Sequence, residues 1–108
     1  MNISKQLGEM ADRLELDIKT PTYLVVKSVT MSKVLKDSDL KDIYAYRTGG
    51  LRKDQGFWLK SKVISFINAT YMISVFRDGD KIVFNKGNWY FSIPYTVETF
   101  KYLLDNQA

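Results

Sequence analysis

The stretch Tyr71–Ile93, YMISVFRDGDKIVFNKGNWYFSI, decides the fold. Asp78-Gly79 sits between two alternating apolar runs, the signature of a hairpin closed by a two-residue type I′ turn, whose central residues both need positive φ. Closing it there sets Arg77 opposite Asp80, Val75 opposite Ile82 and Ile73 opposite Phe84. A second two-residue turn at Lys86-Gly87 sets Phe84 opposite Trp89 and Ile82 opposite Phe91. Because side chains alternate across a strand, these registers sort the meander into two faces. One carries Ile73, Val75, Ile82, Phe84, Trp89, Phe91 and Ile93, with the Arg77–Asp80 pair at its rim; this is a core. The other is mixed, with Met72, Ser74, Phe76, Lys81, Val83, Asn85, Tyr90 and Ser92. A three-residue second loop would put Tyr90 and Ser92 on the apolar face in place of Trp89 and Phe91, which argues for the shorter turn. A helix is expected over the mixed face; left open, Phe76, Lys81 and Tyr90 become a secondary binding patch or a dimer seam.

Working outward, Ile3, Leu7, Met10 and Leu14 recur at helical spacing with charged residues between them, predicting an amphipathic helix over residues 3–16. Gly8 weakens it by about 1 kcal/mol relative to alanine, so it depends on docking. Thr20-Pro21 breaks any helix. Thr22–Thr30, TYLVVKSVT, is β-branched and apolar on both faces at Tyr23–Val26, which predicts an interior strand at 22–30. Cap-type residues at Asp37-Ser38-Asp39, apolar Leu40, Ile43 and Tyr44, and the Gly49-Gly50 stop predict a helix near 38–48, with a short strand Ile43–Arg47 as the alternative. Phe57–Asn68 fits a helix with Leu59, Val63, Ile64, Phe66 and Ile67 on one side, although its residue types favour a strand. Pro94 ends the sheet, and Thr96 can cap a last helix containing Val97, Phe100, Leu103 and Leu104, ending near Asp105. The expected fold is α+β: the meander at 71–93 and the strand at 22–30, packed against N-terminal, middle and C-terminal helices. At 108 residues the chain suits one domain over 1–108, which can bury roughly two-thirds of its unfolded surface.

Composition excludes more chemistry than it suggests. The chain has no histidine and no cysteine, so the usual neutral-pH base, the catalytic thiol and the zinc ligand sets are missing. No catalytic residue, metal or cofactor is expected. Asp37, Asp39 and Asp42 would need a glycine and a glutamate where Asp42 and Thr48 stand to make a calcium loop, so they are read as a helix cap and solvated face. Gly49-Gly50…Gly56 lacks the Gly-Lys-Ser/Thr ending of a P-loop. Lys86-Gly87-Asn88-Trp89-Tyr90-Phe91 departs at Asn88 and Trp89 from the RNP1 pattern of RNA-recognition sheets, and is read as a turn entering a core strand. With no cysteine, an N-terminus without an apolar signal core and no apolar run near about 18 residues, a cytoplasmic protein away from membranes is expected.

Charge is the informative quantity. Residues 47–62 hold five cations and one acid, a balance equal to the +4 of the whole chain. The candidate site is therefore Arg47, Arg52, Lys53, Trp58, Lys60 and Lys62, in a segment with three glycines and two aromatics. Cations that displace counterions from a phosphate backbone, beside aromatics that stack on unpaired bases, suit a mobile loop that grips nucleic acid without sequence preference. The alternative is an inhibitor or adaptor of the phage or mobile-element accessory type, using the same loop or the mixed sheet face on an acidic protein surface. A binding protein, monomeric or homodimeric, is expected rather than an enzyme.

Overall fold

A computed structural model describes residues 23–49 and 54–108. The chain runs β1 (Tyr23–Lys27), α1 (Ser28–Asp37), β2 (Asp42–Arg47), β3 (Gln55–Leu59), α2 (Lys60–Asn68), β4 (Met72–Asp78), β5 (Lys81–Lys86), β6 (Trp89–Pro94) and α3 (Val97–Asp105). The strands form one open antiparallel sheet in the order β1-β4-β5-β6-β2-β3. The fold is α+β, with three helices among the described residues. The helix expected at 3–16 lies outside them.

The meander forms at 72–94, but both turns fall one residue later than the sequence reading. Asp78 pairs with Lys81 and Val75 with Phe84, leaving Gly79-Asp80 as the loop; Lys86 pairs with Trp89 and Phe84 with Phe91, leaving Gly87-Asn88. Gly79 and Gly87 have φ of 60° and 59°, and no other described residue of either loop has positive φ. Glycine at the first loop position is what a type II′ turn demands, and it takes precedence over the Asp-Gly type I′ reading. Arg77 consequently faces Ile82, not Asp80. Its guanidinium lies 3.9 Å from the centre of the Tyr95 ring, and its Nε donates to the Gly79 carbonyl at 2.9 Å. Moving a two-residue turn by one position shifts the pairing by two, so every side chain keeps its face. Ile73, Val75, Ile82, Phe84, Phe91 and Ile93 are all buried.

Around that core the other strand and helix expectations need correction. The strand at 22–30 stops at Lys27 and is not interior: β1 is an edge strand, with Leu24 and Val26 buried and Tyr23, Val25 and Lys27 exposed. Ser28–Thr30 instead open α1, whose buried residues Ser28, Met31, Ser32 and Leu35 follow helical spacing. Small serines on that stripe permit close approach: Ser28 N–H donates to Tyr71 O at 2.8 Å, and Ser32 Oγ donates to Asn68 Oδ1 at 2.6 Å, tying α1 to the end of α2. The helix expected at 38–48 is absent, and the strand alternative Ile43–Arg47 forms as β2. There Ile43 and Ala45 point into the core while Tyr44 and Tyr46 point away, a period of two that pairing with both β3 and β6 enforces. Phe57–Asn68 divides: Gln55–Leu59 is strand, and helix begins only at Lys60, with Val63 and Ile67 buried one turn apart. Thr96 caps α3 as expected, its Oγ1 accepting from Thr99 N–H at 3.1 Å.

Met31, Leu35, Val63, Ile67, Phe100 and Leu103 from the helices join the inward residues of the strands in one cluster. All three described helices therefore lie on one side of the sheet. Val83 is 1 % exposed yet stands outside that cluster, on the opposite face.

Candidate functional site

The basic segment is not one loop. Arg47 ends β2, Gln55–Leu59 is strand, and Lys60 and Lys62 belong to the first turn of α2. Arg52 and Lys53 lie outside the described residues. The rest of the segment is organised by an aromatic cluster on the helix side of the sheet. Trp58 of β3 lies opposite Ile43, and its ring reaches over β2 to Trp89 and Phe91 of β6, at 4.7 Å and 5.1 Å between centroids. Ala45, fully buried, stands between Gly56 and Phe91 in the same row, and its single methyl leaves room for that crossing. Phe66 from α2 closes the group, edge-on to Trp58 at 5.5 Å and to Phe91 at 5.9 Å.

Three cations sit on the cluster. Arg47 pairs with Trp89 across β2–β6, and its guanidinium carbon lies 5.7 Å from the indole centre. Lys62 Nζ lies 4.5 Å from the Trp58 ring. Lys86 Nζ lies 4.5 Å from the Phe66 ring and donates to the Phe66 carbonyl at 2.8 Å. This last contact gives α2 a positive charge at its C-terminal end, where the helix itself has no basic residue. Each ring face is negative, so a cation over it is held without losing its outward charge. The structure thus brings Arg47, Trp58 and Lys62 together and adds Trp89 and Lys86. Lys60 does not join them: its Nζ donates to the Ser38 carbonyl at 3.1 Å, and its backbone N–H to Lys41 O at 3.0 Å. Lys86 escaped the charge count because it lies far along the chain from residues 47–62; only strand pairing delivers it.

Phe76, Lys81 and Tyr90 share the opposite face, with Phe76 and Tyr90 edge-on at 6.4 Å. None of the three described helices covers this face. β2 and β3 enlarge it with residues the helix reading of 38–48 concealed: Tyr46 stacks on Tyr90 at 5.4 Å and 14°, and Tyr44 meets Phe57 edge-on at 5.5 Å. Burial pushes the Tyr46 phenol above its ordinary pKa, and the charges of Asp78, Tyr90 and Tyr44 push in the same direction. A groove lined by Tyr44, Phe57, Asp42, Asp80, Lys81 and Pro94 runs along one end of this face. Its charges are of both signs, unlike the ring cluster's.

No cluster of metal-binding side chains occurs among the described residues, and no described helix is long and apolar enough to cross a membrane. Comparison with protein families, with curated proteins and with solved structures finds no significant match.

Proposed function

We propose that this protein binds nucleic acid through its phosphate backbone, without strong sequence preference, at the cation cluster formed by Arg47, Lys62 and Lys86. The observation that carries the reading is the seating of Arg47 and Lys62 over the rings of one tryptophan pair, with Lys86 on the adjoining Phe66. Cations braced by rings lose less side-chain freedom on meeting a phosphate than cations on a bare loop. Arg52 and Lys53 extend the same charge along the chain. Trp58 holds Lys62 in this reading and does not stack on a base, because its half-buried ring is already engaged by Trp89, Phe66 and Phe91.

The chain's two tryptophans, Trp58 and Trp89, are both in the cluster, so intrinsic tryptophan fluorescence reports on this site alone. Titration with single- and double-stranded oligonucleotides at low salt is expected to change that fluorescence saturably. No change, together with no binding by anisotropy of a labelled oligonucleotide, overturns the reading.

A second reading, a protein-binding adaptor or inhibitor, draws on the aromatic sheet face, where Phe76 and Tyr90 stand half-buried and Lys81 exposed. A partner whose binding survives nuclease treatment and is lost in Phe76→Asp, but kept in Arg47→Gln, supports that reading over the first.

A further inference from the structure

Each ring of the aromatic cluster that could accept a base carries a cation over its face. Arg47 lies over Trp89, Lys62 over Trp58 and Lys86 over Phe66, while Phe91, the remaining ring, is fully buried. A base can stack there only by displacing a cation, and stacking on open rings is a main source of affinity for single strands. Freer rings lie on the opposite face of the sheet, where Phe57 is 73 % exposed beside Tyr44, but the groove they line also holds Asp42 and Asp80. The sheet thus separates the three cations from the open ring faces.

The surface around the cations suits a broader and stiffer ligand. Lys62 stands in the first turn of α2, and Lys86 reaches the Phe66 carbonyl near its end. The helix's other exposed residues, Ser61, Ser65 and Asn68, are short and uncharged. No carboxylate occurs from Gln55 to Arg77, a stretch that includes β3, α2 and most of β4. A phosphate backbone can therefore approach α2 with neither a bulky side chain nor a like charge to hold it off. The three cations come from β2, α2 and β5 and are each braced on a ring, so the fold sets their spacing. A duplex offers a regular phosphate array at one charge per about 1.7 Å of axis, against about 3.4 Å for one strand. A flexible single strand must first be ordered to match fixed cations, which costs entropy. Resting on the nucleic-acid reading above, we propose that the Arg47–Lys62–Lys86 cluster takes double-stranded nucleic acid in preference to single strands, with the exposed side of α2 against the backbone.

Anisotropy titrations of one labelled sequence, as a DNA strand, an RNA strand and the duplex of each, measure the preference at one low salt concentration. At least one duplex is expected to bind about tenfold tighter than its own strand, because more phosphates fall within reach of the three cations. The pair that shows the preference tells DNA from RNA as the source of the duplex. Lys62→Ala removes one cation and uncovers the Trp58 ring. With an unchanged circular dichroism spectrum, this variant is expected to bind the duplex more weakly and to discriminate less between duplex and strand. Lys62→Arg, which keeps the cation, is expected to retain the preference. In both pairs a strand that binds as tightly as its duplex overturns the proposal, as does a preference undiminished in folded Lys62→Ala. Binding of none of the four ligands overturns the nucleic-acid reading itself, so the two failures are told apart.

Discussion

Trp58 and Trp89 belong to strands that are not neighbours, yet their rings lie 4.7 Å apart at 57°, bridging β3 and β6 over β2. The contact is possible because the inward residue of β2 between them is Ala45. It joins sheet packing to the candidate site, since the same two rings carry Lys62 and Arg47.

Enlarging Ala45 should therefore damage stability and site together. Ala45→Leu is expected to cost about 1–3 kcal/mol in chemical denaturation, as overpacked cores do, and to alter tryptophan emission in the folded state. A variant of wild-type stability and emission would contradict the crossing geometry.

The two hairpin turns depend on glycine at the first loop position. Gly79→Ala and Gly87→Ala each force a side chain into positive φ, at about 1–2 kcal/mol, although a Cβ at either site meets open space. Asparagine tolerates this region better, so Gly79→Asn should lose less than Gly79→Ala. Equal losses from both would point to crowding rather than backbone conformation.

The faces of the meander were legible because alternation survives an error in the turn: displacing each loop by one residue changed the partners but no side chain's face. Helix α1 was hidden because half of its buried stripe is serine, Ser28 and Ser32, so the apolar periodicity was broken where close approach mattered most. At β2, Leu40, Ile43 and Tyr44 satisfy helical spacing while Ile43 and Ala45 satisfy strand spacing, and only pairing with β3 and β6 decides between them. The candidate site was half legible. Local charge density identified Arg47 and Lys62, but Lys86 and Trp89 arrive from the meander, and Lys60 is drawn away to Ser38 by the start of α2.

Tyr46 gives a pH signature. Its phenol is raised above the ordinary value of 10.0, chiefly by burial. The folded protein therefore holds this proton more tightly than the unfolded chain. The associated stability is complete below the unfolded value and is lost as pH rises through the folded one. In absorbance titrations of tyrosinate, the phenol missing from Tyr46→Phe should ionise later than an ordinary tyrosine, and the variant's stability should fall less steeply in alkali. A missing phenol that titrates at or below the ordinary value contradicts this environment.

Tyr95 presents the opposite case. Its hydroxyl is buried with no hydrogen-bond partner, while its ring lies under Arg77 and against Phe100 at 5.7 Å. Tyr95→Phe keeps the ring and removes an unsatisfied polar atom, so thermal denaturation should show stability unchanged or raised by up to about 1 kcal/mol. A clear loss would mean that the hydroxyl is satisfied in solution.

The most direct test of the proposed function is the salt dependence of oligonucleotide binding, compared between the wild type and the double variant Arg47→Gln/Lys62→Gln. Each phosphate contact contributes about −0.7 to the slope of log K against log salt for a single strand. The double variant should therefore bind more weakly at low salt, with a slope shallower by about 1.4. Equal affinity and an unchanged slope in a folded variant would contradict the claim that the cations on the tryptophan pair contact the phosphates.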